Sequence, residues 1–346
     1  MINNRQISVG GGVPKGFVLE ERLAHSFKRI ISVENLLLAW QEFVRGKRNK
    51  RDVQMFQFHL MDNVLILHEE LKNKTYHHGG YHHFRISDPK PRDIHKASVK
   101  DRLVHHAIYR VLYPYFHLRF IADSYSCQKG KGTHRAIARF REFSYQISKN
   151  NTRTGWVLKC DIKKFFASIN HQILFSILEQ QIQDADTLRL LKNIVSSFQT
   201  PGKLQTGLPL GNLTSQLLVN IYMNEFDQFV KHRFKVKHYI RYADDFVFLS
   251  EDREVLEALI FPVAQELRDR LSLELHPNKL FIKTIASGVD FLGWVHFVDH
   301  RVLRTATKRR MLRKLAGPSN EAMISSYLGM LSHGNTEKLR GLLSGI

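Results

Sequence analysis

The sequence predicts an α+β chain with a small antiparallel sheet backed by helices. Three observations point there. Most of the length carries apolar residues at helical spacing. A few short runs instead alternate or are rich in β-branched and aromatic residues, as strands are. Two of those runs fold back through turn-forming residues, which makes hairpins and therefore antiparallel pairing. A hydrophobic fraction of 43% and an aromatic fraction of 11% over 346 residues exclude a disordered chain.

Residues 1–16 are rich in Gly and Asn and read as a loose arm; Gly10, Gly11 and Gly12 lack the strand–turn–helix setting of a phosphate loop. From about 17 to 75 the spacing of Leu36, Leu37, Trp40 and Phe43 predicts helices. Tyr76, Tyr81, Phe84 and Ile86, followed by Asp88-Pro89-Lys90-Pro91, predict a hairpin over 76–95. Its four histidines, His77, His78, His82 and His83, lack a carboxylate or cysteine to complete a zinc set, so an exposed tip is the expectation. Helices follow over 98–122 and 133–149, around a basic turn from Cys127 to Gly132. Trp156 to Ile162 reads as a strand, 171–199 as helix-rich, 201–211 as a Gly/Pro loop. A helix over 213–232 should present Leu217, Leu218, Ile221, Phe226 and Phe229 on one side. After the hairpin at 239–249 come a helix over 252–271, a strand pair near 281–299, and a basic helical tail.

Two of these elements carry chemistry. Asp244 and Asp245 fall where the hairpin turns, which holds both carboxylates out at the tip of a ribbon. Adjacent carboxylates repel unless a cation lies between them. In the strand Trp156–Ile162, alternation sends Leu158, Cys160 and Ile162 to one face and Lys159 and Asp161 to the other. Three acids converging from two strands suit two hard cations bridged by phosphate oxygens, and a Mg²⁺ pair is the expectation.

The net charge of +20 calls for a polyanionic partner, most simply nucleic acid. No apolar run is long enough to span a bilayer and no signal pattern opens the chain, so a soluble cytoplasmic protein is expected. Cys127 and Cys160 form no metal spacing or disulfide framework. Arg301 to Lys314 holds seven basic residues and no acid, which predicts a phosphate-binding helix.

Taken together, these residues resemble a reverse transcriptase over roughly 76–340. Asp161-Ile162-Lys163-Lys164-Phe165-Phe166 is similar to the family's first palm motif, Gly207 to Gln216 to its second, and Tyr242-Ala243-Asp244-Asp245 to its third. His276-Pro277-Asn278-Lys279 resembles the fourth and Phe291-Leu292-Gly293-Trp294 the fifth, the primer grip. The resemblance implies a right-hand polymerase: arm and fingers over 1–150, palm over 151–299, basic helical thumb over 300–346. It implies RNA-directed DNA polymerase activity on a template RNA with dNTPs, and an RNA/cDNA duplex as product. Asp161 and Asp244 then ligate both Mg²⁺ ions, Asp245 stands by as a third carboxylate, and the carbonyl of Ile162 completes a shell. Phe166 is the steric gate against a ribose 2′-hydroxyl, and Lys279 the general acid toward pyrophosphate. Arg92 grips the triphosphate, with Lys90 and Arg102 as weaker candidates. Gly211 lets backbone approach the nascent pair.

Within the family, Leu210 stands where retroviral and group II intron enzymes carry Gln, and Gln216 where Pro usually follows Ser215. The string Leu210 to Gln216, the segment Asp123 to His134, and Ser326-Tyr327-Leu328-Gly329 resemble the diversity-generating retroelement enzymes. That resemblance implies cDNA mutagenised opposite template adenines and a small basic accessory protein as partner. The rival expectations are another bacterial reverse transcriptase, group II intron-like or of a phage-defence kind, and a catalytically inactive RNA-binding scaffold.

Overall fold

The computed structural model describes residues 22–87, 91–317 and 320–344. The amino-terminal third is helical: α1 (Ser26–Ile31), α2 (Val33–Phe43), α3 (Arg51–Phe58) and α4 (Leu60–Lys72). The expected hairpin follows as β1 (Tyr81–Ile86) and β2 (Arg92–Ala97), antiparallel, with Tyr81 opposite Ala97 and Ile86 opposite Arg92. Then come α5 (Val99–His117) and α6 (Thr133–Ile147). Ser98 caps α5 by accepting from the Asp101 amide, which satisfies one of the orphan donors of the first turn. The arm expected at 1–16, and Lys90 with its neighbours Asp88 and Pro89, lie outside the described residues.

The centre of the molecule is a four-stranded antiparallel sheet in the order β4-β5-β3-β6. Its strands are β3 (Trp156–Asp161), β4 (Tyr239–Tyr242), β5 (Asp245–Ser250) and β6 (Phe281–Thr284). Between β3 and β4 lie α7 (His171–Gln181), α8 (Ala185–Ser196) and α9 (Leu213–His232), and α10 (Arg253–Leu271) follows β5. Alternation divides the sheet as the sequence predicts. Leu158, Cys160, Phe246 and Phe248 enter the large helical core, whereas Val157, Ile240, Val247 and Leu249 join a second cluster with Phe140 and Phe143 of α6.

Helix α9 departs from its expected one-sided pattern. Leu217 through Met223 are all buried, because α9 packs against α5, α7 and α10 at once. That stretch is covered on every side, whereas Asn224, Glu225, Gln228 and His232 farther along keep a partly exposed face.

The carboxy-terminal part also corrects the sequence reading. The expected strand pair over 281–299 is split between two sheets: β6 joins the central sheet, whereas β7 (Val289–Phe291) and β8 (Trp294–His296) form a second one. Its third strand, β9 (Arg301–Leu303), begins the stretch expected to be helical and pairs with β8 across residue 300. Its alternation of one apolar pair and basic flanks is too short to betray a strand. The tail is then helical: α11 (Thr305–Leu315), α12 (Glu321–Leu331) and α13 (Glu337–Ser344). Among the described residues, no helix is long and apolar enough to cross a membrane.

Candidate active site

The two acidic motifs meet at one end of the central sheet. In the β3–β5 ladder Asp161 lies directly opposite Asp245, and the Ile162 amide donates to the Asp244 carbonyl at 3.0 Å. The turn between β4 and β5 consists of Ala243 and Asp244, with Ala243 at φ 56°. A left-handed alanine costs roughly 1 kcal/mol, strain that the surrounding bonds must hold in place. Like charges directly opposite one another weaken a ladder, so the site needs counter-charge, and it has two lysines. Lys279, on a tight 3-10 turn (Pro277–Lys279), donates to Asp161 Oδ1 at 2.6 Å. Lys159, buried on β3, lies 3.2 Å from Asp245 Oδ2 and also donates to the Asp290 carbonyl at 2.8 Å.

The three carboxylates are not equivalent. Burial, and then the charge of Asp161, hold the Asp244 carboxyl above its ordinary range, with Lys279 and Arg92 pulling it back. Asp245 is pushed up to about 6 by burial, which Lys159 offsets only in part. Its Oδ1 is buried without a hydrogen-bond partner. Among the described residues no three His, Cys, Asp or Glu side chains form a ready-made metal cage. Of the three expected ligands, Asp245 faces Lys159 through Oδ2 and leaves Oδ1 without a partner. Asp161 and Asp244 remain a pair of hard oxygen donors under mutual repulsion. That donor set fits a divalent cation of the Mg²⁺ type, which binds through one or two carboxylates and fills its shell from substrate phosphates and water.

A buried ion pair that the sequence reading passed over holds the hairpin. Arg241 and Asp227 are both 0% exposed. The guanidinium donates to both carboxylate oxygens of Asp227 (2.6–3.0 Å), to Ser124 Oγ, to Asn220 Oδ1 and to the Ala243 carbonyl. Tyr239 adds a hydroxyl bond to Asp227 at 2.8 Å. Arg241 thus clamps the turn that carries Asp244. An arginine two residues before an acidic turn was the only available signal. Lys159 was placed on the acid-bearing face by alternation, but its role as counter-ion was not foreseen.

The second motif packs beside the first. A short 3-10 turn (Phe165–Ser168) carries Phe166, whose carbonyl accepts from the Leu208 amide at 2.8 Å. Gly207 has φ +104°, and a Cβ there would lie 2.1 Å from Thr200 Oγ1, so only glycine closes this loop. Gly211 has φ +103°, and its imagined Cβ would meet Ile94 at 3.1 Å; its neighbour here is β2. That strand is tied down by His95, whose amide donates to the Leu210 carbonyl at 3.2 Å and whose carbonyl accepts from Asn212 at 2.9 Å. Leu210 and Gln216 are half-buried at the mouth of this junction. Arg92, exposed on β2, is near enough to lower the Asp244 carboxyl.

Arg102 is not a phosphate clamp. It donates to Asp52 at 2.8 Å and lies over the Phe43 ring, among the amino-terminal helices. The basic turn 127–132 is likewise partly spent: Lys131 donates to the carbonyls of Ile121, Ala122 and Ser124. Of the tail's seven basic residues, Arg304 is paired with Asp290 and Arg301 donates to the His333 carbonyl. The histidines divide as well: His77, His82 and His83 are exposed, whereas His78 meets buried His105, Nε2 to Nε2, at 3.1 Å.

Residues 87–296 match the family described as reverse transcriptase (RNA-dependent DNA polymerase). The chain is 27% identical to Protein YkfC of Escherichia coli over 75% of its own length and 76% of that protein. It is 22% identical to the group II intron-encoded protein LtrA of Lactococcus lactis, over 70% of this chain and 50% of LtrA. A solved telomerase of Candida albicans superposes with a TM-score of 0.49 at 12% identity, covering 68% of this chain and 46% of that one. At that likeness it adds nothing to the family match. The antiparallel sheet with helices on both flanks is the palm of a right-hand polymerase fold. The chain belongs to the reverse transcriptase family of RNA-dependent DNA polymerases.

Proposed function

We propose that the chain copies a template RNA into cDNA for a diversity-generating retroelement, with substitutions concentrated opposite template adenines. The observation that carries the polymerase part is the meeting of Asp161 with Asp244 at the sheet end, linked through the Ile162–Asp244 backbone bond and faced by Arg92. Asp161 and Asp244, with the Ile162 carbonyl and Asp245 close by as a third carboxylate, would hold two Mg²⁺ ions. Bound there, the metal lowers the pKa of a primer 3′-hydroxyl and neutralises triphosphate charge. The remaining work is positioning. Arg92 grips phosphate oxygens through its guanidinium fork, and Lys90 assists. Phe166 presents its ring to the sugar and rejects a 2′-hydroxyl. Lys279, already on Asp161, supplies a proton to the departing pyrophosphate. Asp245 keeps Lys159 in place beneath the turn. Fingers over 1–150, palm over 151–299 and thumb over 300–346 close on the RNA/cDNA duplex, joined by a small basic accessory protein.

The mutagenic part rests on Leu210 and Gln216. An apolar side chain at 210 cannot offer the incoming nucleotide an amide hydrogen bond, which loosens discrimination between bases. LtrA as a relative favours a second reading, a faithful group II intron-like enzyme. Sequencing cDNA made by the purified chain on a defined RNA decides between them. Errors confined to template adenines support the retroelement; uniform low error supports the intron-like enzyme; no Mg²⁺-dependent synthesis on RNA removes both.

A further inference from the structure

A cavity of about 230 Å³ opens where α6, the β8–β9 turn and the segment after α12 meet. None of the acids or lysines of the candidate active site lines it. Two arginines line it, Arg141 and Arg301. Burial and the charge of Arg141 both disfavour the charged form of Arg301, so the two cations are gathered against their own repulsion. Arg301 is fixed by donating Nε to the His333 carbonyl and by lying 5.6 Å over the Trp294 ring. Its other nitrogens, and the whole Arg141 guanidinium, make no further hydrogen bond or ion pair among the described residues. The one acid on the rim, Asp299, accepts from His300 at 2.7 Å instead. Beside the cations, the rings of Phe297 and His300 stack at 4.8 Å with planes 12° apart.

Arginines without a carboxylate partner in a concave site suit a phosphate, which a guanidinium fork binds bidentately. A flat aromatic pair alongside suits an unstacked base. The volume falls below that of pockets for drug-sized ligands, roughly 300–1,000 Å³, so the occupant is small. We propose that this cavity binds a phosphodiester unit of single-stranded RNA, with Arg141 and Arg301 on the phosphate and Phe297–His300 stacking on the base. It is a second RNA contact, separate from the cleft that holds the primer and template. It rests on the proposed polymerase reading only for the place of that cleft; binding at the cavity is measured without synthesis.

The test uses the full chain with the cleft saturated by unlabelled RNA–DNA duplex, and a short fluorescein-labelled oligouridylate followed by anisotropy. Arg141→Glu should weaken binding by about tenfold or more and lessen the salt slope by about 1. His300→Ala should weaken it by roughly fivefold or more through lost stacking. Arg141 is exposed and unpaired, so its variant should keep the parent's melting midpoint. Independently, 4-thiouridine in the strand should crosslink to the peptide holding Phe297 and His300. Inorganic phosphate should displace the strand only at far higher concentration than unlabelled strand does. Unchanged affinity in both variants, or a crosslink map that avoids this peptide, overturns the proposal. Displacement by inorganic phosphate at the strand's own concentration also overturns it, making the pocket a free-anion site.

Discussion

Asp227→Asn tests whether the hairpin bearing Asp244 is held from beneath by a buried charge. Arg241 is fully buried and places three of its contacts on the Asp227 carboxylate at 2.6–3.0 Å. Asparagine keeps the shape but turns an NH₂ donor toward guanidinium donors and removes the compensating charge. Breaking one partner of a buried pair costs about 3–5 kcal/mol, because a desolvated charge is left without its counter-ion. For a chain of this size that lowers Tm by roughly 5 °C or more. The damage should be local first. Arg241 Nη1 also holds the Ala243 carbonyl, so amides of the turn and of Tyr239–Tyr242 should exchange faster with solvent. Primer extension should fall even at temperatures where the variant remains folded, since the acids must be held within about 0.5 Å for the chemistry. Calorimetry, hydrogen exchange and extension on the same preparation give the answer. A parent-like Tm with unchanged exchange in 239–245 would refute the clamp. The paired change Asp227→Leu with Arg241→Met should recover much of the stability, as apolar replacement of a whole buried pair often does, without restoring activity.

Three other outcomes follow from the site. Asp245 has a folded-state pKa of about 6, above its ordinary 3.8, so the folded chain holds this proton longer than the unfolded chain. Its stability contribution is full below about pH 4 and is lost as pH rises to about 6, up to roughly 3 kcal/mol in all; Asp245→Asn should flatten that part of a urea-midpoint profile. Gly207→Ala forces a Cβ against Thr200 Oγ1 at a φ that suits glycine; it should cost about 2–4 kcal/mol and raise the KM for dNTP, read by denaturation and steady-state kinetics. Lys279→Ala should lower kcat about a hundredfold, within the usual range for a general acid, with little change in the KM for dNTP; a kcat equal to the parent's removes its proton-donor role.

Much of this was legible in the residues themselves. Alternation in β3 placed Leu158 and Cys160 on one face and Lys159 and Asp161 on the other, because successive side chains of a strand point to opposite faces. The bounds of α9 were readable from the Gly/Pro loop before it and the basic residues after it. What escaped were features that exist only between elements. Arg241 looks like a strand charge until Asp227, fourteen residues earlier on a helix, comes under it. Arg102 looks like a phosphate clamp until Asp52 is beside it. The split of the last strands into two sheets is a long-range choice that three-residue strands cannot encode alone.

The most direct measurement is dNTP incorporation by the purified chain on a primed RNA template, with and without Mg²⁺, for the parent and for Asp161→Asn and Asp244→Ala. If the sheet-end acids hold the catalytic cation, the parent requires Mg²⁺. Each variant then falls by about a thousandfold or more with its melting midpoint undiminished, since burial and mutual repulsion already disfavour the Asp244 charge. Metal-dependent extension at the parent's rate by either variant would contradict the account.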